Sequence, residues 1–451
     1  MTSTTLARPT APLAPGGLPG LGHGLRMRRG GLLAFLESLS AHGEVVRIGL
    51  GPHPAFVVTT PQLVRQVLVG EARSFHKGRL FDKARPFLGN GVMLSDGDFH
   101  LRQRRLVQPA FHRQRIEGYV RIMAEGAAAT ADSWRAGRPV DVPAEMYDLV
   151  IAVLGRTLFS TELGGWAALE AQRSMPVIQE VIARRTVSPL TFLERLPTPG
   201  NRRFDQAIHR LRGVLDRVVA EARADRTDRG DLLSMLIAAR DAETGEAMPD
   251  EQLRDDLVNI LAAGMESTTH SLAWALHLLG AHPEHQLRVR EEIDQVLAGR
   301  APAVADVPRL HHLGNVVKET LRLYPPAGLF MRRAIAPVEL SGIPFPTGTE
   351  VIVSPYLMHR HPGLFPNPDR FDPDRWDRPE TADLPRGAYL PFGMGNRLCL
   401  GDTFAMTEIP VVLATLLARW QLTPSPGCDV RPVPAVTISP SPFTMLPHAR
   451  T

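Results

Sequence analysis

Pro391–Gly401 reads PFGMGNRLCLG. Pro and Gly fill four of its eleven positions, which suits neither a helix interior nor an ordinary strand. The stretch carries Cys399, one of only two cysteines in the 451-residue chain. A helical run, DTFAMTEIPVVLATLLARW, follows from Asp402. A cysteine placed there faces the positive end of a helix dipole, which favours a thiolate. Arg397, two residues away, adds positive charge. Small residues at 393, 395 and 401 let the backbone come close to a flat ligand.

Several roles suit such a cysteine. A buried, inert thiol is the usual one. A nucleophile needs a nearby base, and the loop offers none. Zinc and iron–sulfur sites need more cysteines than the chain owns. A thiolate on a haem iron needs only one.

The loop resembles the haem-binding motif F-x-x-G-x-R-x-C-x-G of the cytochrome P-450 monooxygenases, with Phe392, Gly395, Arg397, Cys399 and Gly401 in place. Other matches follow the family's order over nearly the whole chain. In KETLRLYPP, Glu319 and Arg322 resemble the E-x-x-R pair, which one helix face brings together. The family's third member resembles Arg375 in Pro373–Trp376, with Arg370 in NPDRF as its rival. The resemblance gives this triad a structural role. AAGMESTTH resembles the oxygen-binding motif. There Ala263 and Gly264 leave space for O2, Glu266 is the acid, and Ser267 stands where threonine is usual. Ser267 is assigned to the proton relay, with Thr268 as the alternative. Hydroxyls bonding their own helix are the competing reading. Basic partners for the haem propionates resemble His100 and Arg104, Arg332 (or the adjacent Arg333) and Arg397.

The implied fold is mainly α with small β-sheets, one large mixed α/β domain of the P-450 type with a long central helix over the haem. Residues 31–451 are assigned to it, after a flexible Pro/Gly-rich lead-in at 1–30. The patterns agree. PDEQLRDD to AHPEH reads as one helix of about 30 residues, about 45 Å long. A second spans roughly Asp306 to Tyr324, stopped by two prolines. GEVVRIGLG and PHPAFVVTT read as strands joined by a Gly-Pro turn.

Composition narrows the class. The chain is 44% hydrophobic and 22% charged, with a net charge of +4, as in ordinary globular proteins. Two cysteines form no disulfide framework, which fits a reducing cytosol. No apolar run reaches a membrane-span length. The arginines between 102 and 115 lack interleaved aromatics, which argues against nucleic acid. Arg105 and Arg113 are candidates for a basic docking face. Histidines at 282/285, 311/312 and 359/361 read as surface residues, and Cys428 as incidental.

The resemblance implies haem b, O2, an apolar substrate, and electrons from NAD(P)H through separate ferredoxin and ferredoxin reductase proteins. It implies a cytoplasmic monomer. The pocket is assigned to Ala262, Ala327, Leu329 and Phe330, under a loop at Gly78–Leu94 and a lid at about 165–205. Apolar lining implies an apolar substrate. The motif style points to a terpenoid such as a sesquiterpene in secondary metabolism; a fatty acid, steroid or polyketide is the alternative. A peroxide-driven peroxygenase or haem isomerase is the second reading, and a non-catalytic haem sensor another. A terpene cyclase using Asp255–Asn259 (DDLVN) is the remote one, because acids at a helix start also suit the dipole.

Overall fold

The computed structural model describes residues 10–450 apart from 160, 188–193, 195, 226, 228 and 242. The long helix is Asp250–Ala281, 32 residues. Pro249 precedes it, and Asp250 and Glu251 occupy its first turn, where acids complement the dipole. Pro283 opens the next helix and fixes the break. The long helix is buried along most of its length and packs against Val142–Leu158, Pro199–Asp225, His311–Leu323 and Asp402–Arg419.

The E-x-x-R helix is shorter than the sequence suggests. A 3-10 turn at Val304–Arg309 comes first, and the α-helix runs from His311 to Leu323. Asp306 accounts for the break. It accepts from the Ala303 N–H at 2.8 Å and binds Arg300, while Pro308 lacks the N–H that a continuous helix needs. Glu292 then caps the new start through the N–H groups of His312 and Leu313, at 2.7 and 3.0 Å.

The main sheet has five strands, in the order Val45–Leu50, His53–Val58, Glu350–Val353, Phe330–Ala334 and Phe75–Lys77. The first two form the expected hairpin, with Leu50 opposite His53 and Gly51 at φ 62° in the turn. Only His53–Val58 against Glu350–Val353 is parallel among these neighbours. The sheet covers its own apolar core, and the helices share a second, larger one.

The flexible lead-in is corrected. Residues 1–9 lie outside the described residues, but the chain from Pro12 is fastened to the sheet. Ala14 is buried and donates its N–H to the Arg47 carbonyl, and the Arg47 N–H donates to Pro12. Buried His23 bridges the Ala14 carbonyl and the Gly49 N–H. Gly24–Gly30 is a short helix. Among the described residues, no helix is long and apolar enough to cross a membrane.

Candidate active site

The cysteine loop is built by its own backbone. The Cys399 N–H donates to the Phe392 carbonyl at 2.9 Å, closing the loop, and Gly393 and Gly395 take φ of 75° and 73°. Gly395 has a second constraint, because a Cβ there would overlap the Leu68 carbonyl. Cys399 is accessible, although protein encloses its sulfur on nearly all sides, so it opens onto an interior space. Ala263 is exposed in the middle of the otherwise buried long helix. Gly264 differs from its expected role: a Cβ there would crowd Leu154 at 3.2 Å, so its smallness serves helix packing.

Burial pushes the Cys399 thiol above its ordinary pKa. The Gly401 N–H opposes this, Asp402 reinforces it, and Arg104 opposes it more weakly. The expectation of a depressed thiol is therefore corrected. The helix start and a cation are present, but desolvation outweighs them. The cation is also a different one. Arg397 turns away to the Ser95 carbonyl and Asp96, at 2.6 and 2.8 Å, whereas Arg104 reaches the Leu398 carbonyl at 2.6 Å.

Beside the loop lies a surplus of buried positive charge. Arg332 and Arg397 are each lowered to about 10, with burial the largest cause. Lys77 is lowered well below its ordinary range by burial, then by Arg397 and Arg332. Burial, then Arg397, Lys77 and Arg104, hold buried His100 neutral, at about 3, and its Nδ1 has no partner. Asp96 is the carboxylate that faces this group. Cations in such excess need an anion. A dianionic haem edge, with its iron at Cys399, fits these residues. Strand alternation separates the two adjacent arginines. Arg332 points inward, while Arg333 pairs with Asp82 and Glu350, both at 2.7 Å.

Glu319 and Arg322 are wholly buried and form two hydrogen bonds, both 2.9 Å. Arg375 joins Glu319 at 3.2 Å, whereas Arg370 is exposed and contributes only its carbonyl, to Arg322. Trp376 and the Asp372 N–H complete the acceptor sites of Glu319, at 3.1 and 3.0 Å. His359 ties this cluster to the cysteine loop. Its Nε2 accepts from the Leu390 N–H at 2.9 Å, which leaves Nδ1–H to donate to the Arg322 carbonyl at 3.2 Å. Burial, then Arg322, lowers His359 to about 3, so it bridges as a neutral ring.

His359 is thus no surface histidine, and neither are His285 and His312. Those two are buried and stacked where helices meet, with Nδ1 and Nε2 3.4 Å apart. Of the docking-face candidates Arg105 and Arg113, Arg105 is partly matched from within. Arg102 and Arg105 pair with Asp241, Glu243 and Glu246, so much of their charge is matched internally. The side chain of Arg113 lies outside the described residues.

Ser267 and Glu266 do not meet. The Ser267 hydroxyl donates to the Ala263 carbonyl at 2.7 Å. Burial raises the Glu266 pKa, and its carboxylate accepts from Thr437 at 3.1 Å. Thr437 also lies 2.9 Å from Nδ1 of His270, which burial holds neutral at about 4. With Glu266 ionised, Thr437 donates to it and accepts from His270 Nδ1–H. His270 also lines a cavity of about 340 Å³ with Tyr147, Asp148 and Thr269. Thr268 is buried against Glu408, whose two oxygens have no hydrogen bond of normal geometry.

The assigned pocket residues Ala262, Ala327, Leu329 and Phe330 are all half-buried. Phe330 shares the inward strand face with Arg332 and lies across from Gly393. Part of the lid region, 188–193 and 195, lies outside the described residues. Sequence reading missed Lys77, Asp96, His270, His359, Glu408 and Thr437. Glu408 gave one signal, a lone acid inside an apolar helical run.

Known proteins align with this arrangement along nearly the whole chain. The profile of the family described as Cytochrome P450 matches residues 12–446. Cyclooctatin synthase of Streptomyces melanosporofaciens is 46% identical over 439 residues, 97% of this chain and 95% of that protein. Cyclooctat-9-en-7-ol 5-monooxygenase of the same organism is 45% identical, covering 93% and 91% of the two chains. Pentalenene oxygenase of Streptomyces avermitilis is 40% identical, covering 94% of each. With the cysteine loop, the cation surplus and these relatives together, the chain belongs to the cytochrome P450 family and is a haem-iron monooxygenase.

Proposed function

We propose that the protein inserts one atom of O2 into an apolar terpenoid, such as a sesquiterpene, in secondary metabolism. The carrying observation is the accessible Cys399, its sulfur enclosed by protein, and Ala263 exposed midway along the long helix, in a chain 46% identical to a cyclooctatin synthase. Half-buried Ala262, Ala327, Leu329 and Phe330 are assigned to the apolar lining of the substrate space.

Bound haem would supply the reductive activation of O2, with Cys399 as the residue that would hold its iron. The chain's residues do the rest. Cys399 would hold the iron as a thiolate, whose charge the Gly401 N–H and Arg104 favour. Lys77, His100, Arg332 and Arg397 hold the anionic edge, and Arg104 supports the loop. Phe392 and Gly401 keep the sulfur's surroundings tight. Ala263 keeps the space open for O2. Ser267, released from the Ala263 carbonyl, orients protons at its Oγ, with Thr268 the second hydroxyl. Glu266 receives them from the His270 side through Thr437, since it bonds Thr437 and not Ser267. Electrons come from NAD(P)H through a ferredoxin and its reductase, to a monomer in the cytosol.

Spectral titration across a panel tests the substrate class. Terpene alcohols and hydrocarbons are expected to shift the haem band and to yield products carrying one ¹⁸O atom from ¹⁸O2. Shifts and products with fatty acids or steroids alone would overturn the terpenoid assignment. Turnover with peroxide alone, and none with O2 and reductant, would replace the monooxygenase cycle with a peroxygenase.

A further inference from the structure

The DDLVN stretch opens the long helix, and its acids look like ordinary dipole partners. Their contacts show otherwise. Asp255 Oδ2 accepts from the Asn90 N–H at 2.8 Å, Asp256 Oδ1 from Val92 at 2.6 Å, and Asn259 Oδ1 from Met93 at 3.1 Å. Asn259 Nδ2 donates back to the Leu88 carbonyl at 2.7 Å, and Gln252 to Asn90 at 3.3 Å. Side chains of one helix thus replace a partner strand for the segment after the helix Arg79–Leu88. The fit is close on both sides. A Cβ on Gly89 would overlap the Asp255 carboxylate, and one on Gly91 would lie 2.6 Å from the Asp255 carbonyl and 2.8 Å from Asn259 Oδ1.

The segment's other side meets the cation cluster. The Met93 carbonyl accepts from Lys77, Leu94 from Arg85 at 2.7 Å, and Ser95 from Arg397 at 2.6 Å. The N–H groups of Asn90, Val92 and Met93 are therefore held by the long helix, and the carbonyls of Met93, Leu94 and Ser95 by Lys77, Arg85 and Arg397. Positions 255, 259, 263 and 267 recur every four residues, so one helix face carries the clasp and then Ala263 and Ser267.

We propose that Asp255, Asp256 and Asn259 are positioning residues that clasp Leu88–Met93 to the long helix and fix it as one wall of the substrate cavity. This rests on the cavity reading above. The wall's position decides which part of an apolar substrate faces the oxidising centre. An aspartate-rich magnesium site is disfavoured, because the carboxylates are already engaged by backbone N–H groups.

Amide hydrogen exchange on the haem-loaded, substrate-free protein tests the clasp. Asp256→Ala removes the buried hydrogen bond to the Val92 N–H, and exchange across 88–95 is expected to rise about tenfold or more while other core peptides hold. Asp256→Asn keeps the acceptor and should restore slow exchange. Gly91→Ala pushes the segment off without altering the helix, and it decides the matter if Asp256→Ala does not fold. Stopped-flow release of 4-phenylimidazole from the iron, with carbon monoxide as a small control, tests the wall. Loosened variants should release 4-phenylimidazole about threefold faster or more, with carbon monoxide release unchanged. Unchanged exchange at 88–95 in Gly91→Ala would overturn the clasp. Faster exchange with unchanged 4-phenylimidazole release would overturn the wall while leaving the proposed function standing. A wild-type ferrous–CO band lacking the thiolate position would instead overturn that function.

Discussion

Arg322 donates two hydrogen bonds to Glu319, both 2.9 Å, with neither side chain exposed. Two cations and one carboxylate share this dry site once Arg375 is counted, and backbone carbonyls absorb the remaining donors. Removing Arg375 leaves Glu319 paired with Arg322 but strips it of one donor and leaves the Pro366 and Asn367 carbonyls without their partner. Arg375→Ala is expected to cost about 2–3 kcal/mol, whereas exposed Arg370→Ala stays within about 0.5 kcal/mol. Denaturant unfolding and haem retention measure both, and equal losses would reject the assignment of Arg375.

The adjacent strand arginines give a second contrast. Arg332→Leu is expected to weaken haem binding about tenfold or more, because a buried anion loses its partner. Arg333→Leu should leave haem affinity within about threefold and act on stability, through the unpaired Glu350. Haem-transfer kinetics separate the two.

Cys399→Ser should retain the fold and lose the thiolate-type ferrous–CO band. In haem-free protein, burial keeps the thiol protonated above the ordinary cysteine range. Its alkylation is therefore expected to accelerate only above the ordinary cysteine range, and haem loading should abolish it while exposed Cys428 still reacts. Competitive labelling followed by peptide mass spectrometry reads both sites.

Ser267→Ala removes the hydroxyl that rests on the Ala263 carbonyl. NAD(P)H consumption should continue while product per NAD(P)H falls about fivefold or more and peroxide rises. Unchanged coupling would shift the relay to Thr268, whose own alanine variant should then leak peroxide.

Glu408 supplies the pH test. Burial raises its pKa from 4.5 to about 8, so the native state holds a proton that the unfolded chain has lost between those values. Stability is therefore highest below the lower value and declines as pH rises toward 8. The decline is about 1.4 kcal/mol per pH unit and levels off above 8. Glu408→Gln should remove this slope. Unfolding midpoints from pH 5 to 9 that fall in parallel for both proteins would contradict it.

What was legible in the sequence follows from distance along the chain. Glu319 and Arg322 sit on one turn of helix, so local spacing pairs them. Choosing Arg375 over Arg370 required the path of the 360–376 meander, which no local pattern encodes. Cys399 and its glycines could be read from the loop's own backbone needs. The pKa direction of Cys399 could not, because desolvation depends on the helices that enclose it. Asp255 and Asp256 look like dipole partners until Gly89 and Gly91, more than 160 residues earlier, are seen against them. Lead-in residues such as Ala14 and His23 sit among prolines and glycines that suggest freedom, yet a neighbouring strand supplies their partners.

The long helix spaces its tasks along one axis. Asp256 and Ser267 stand eleven residues apart, about 16 Å at the rise of an α-helix. In the roles proposed above, hydrogen bonds at the first mark shape what enters, and hydroxyls at the second govern how protons arrive. Three turns of helix separate the two. Substitutions at the near end are therefore expected to redirect the enzyme to a new carbon skeleton without loosening its control over oxygen at the far end.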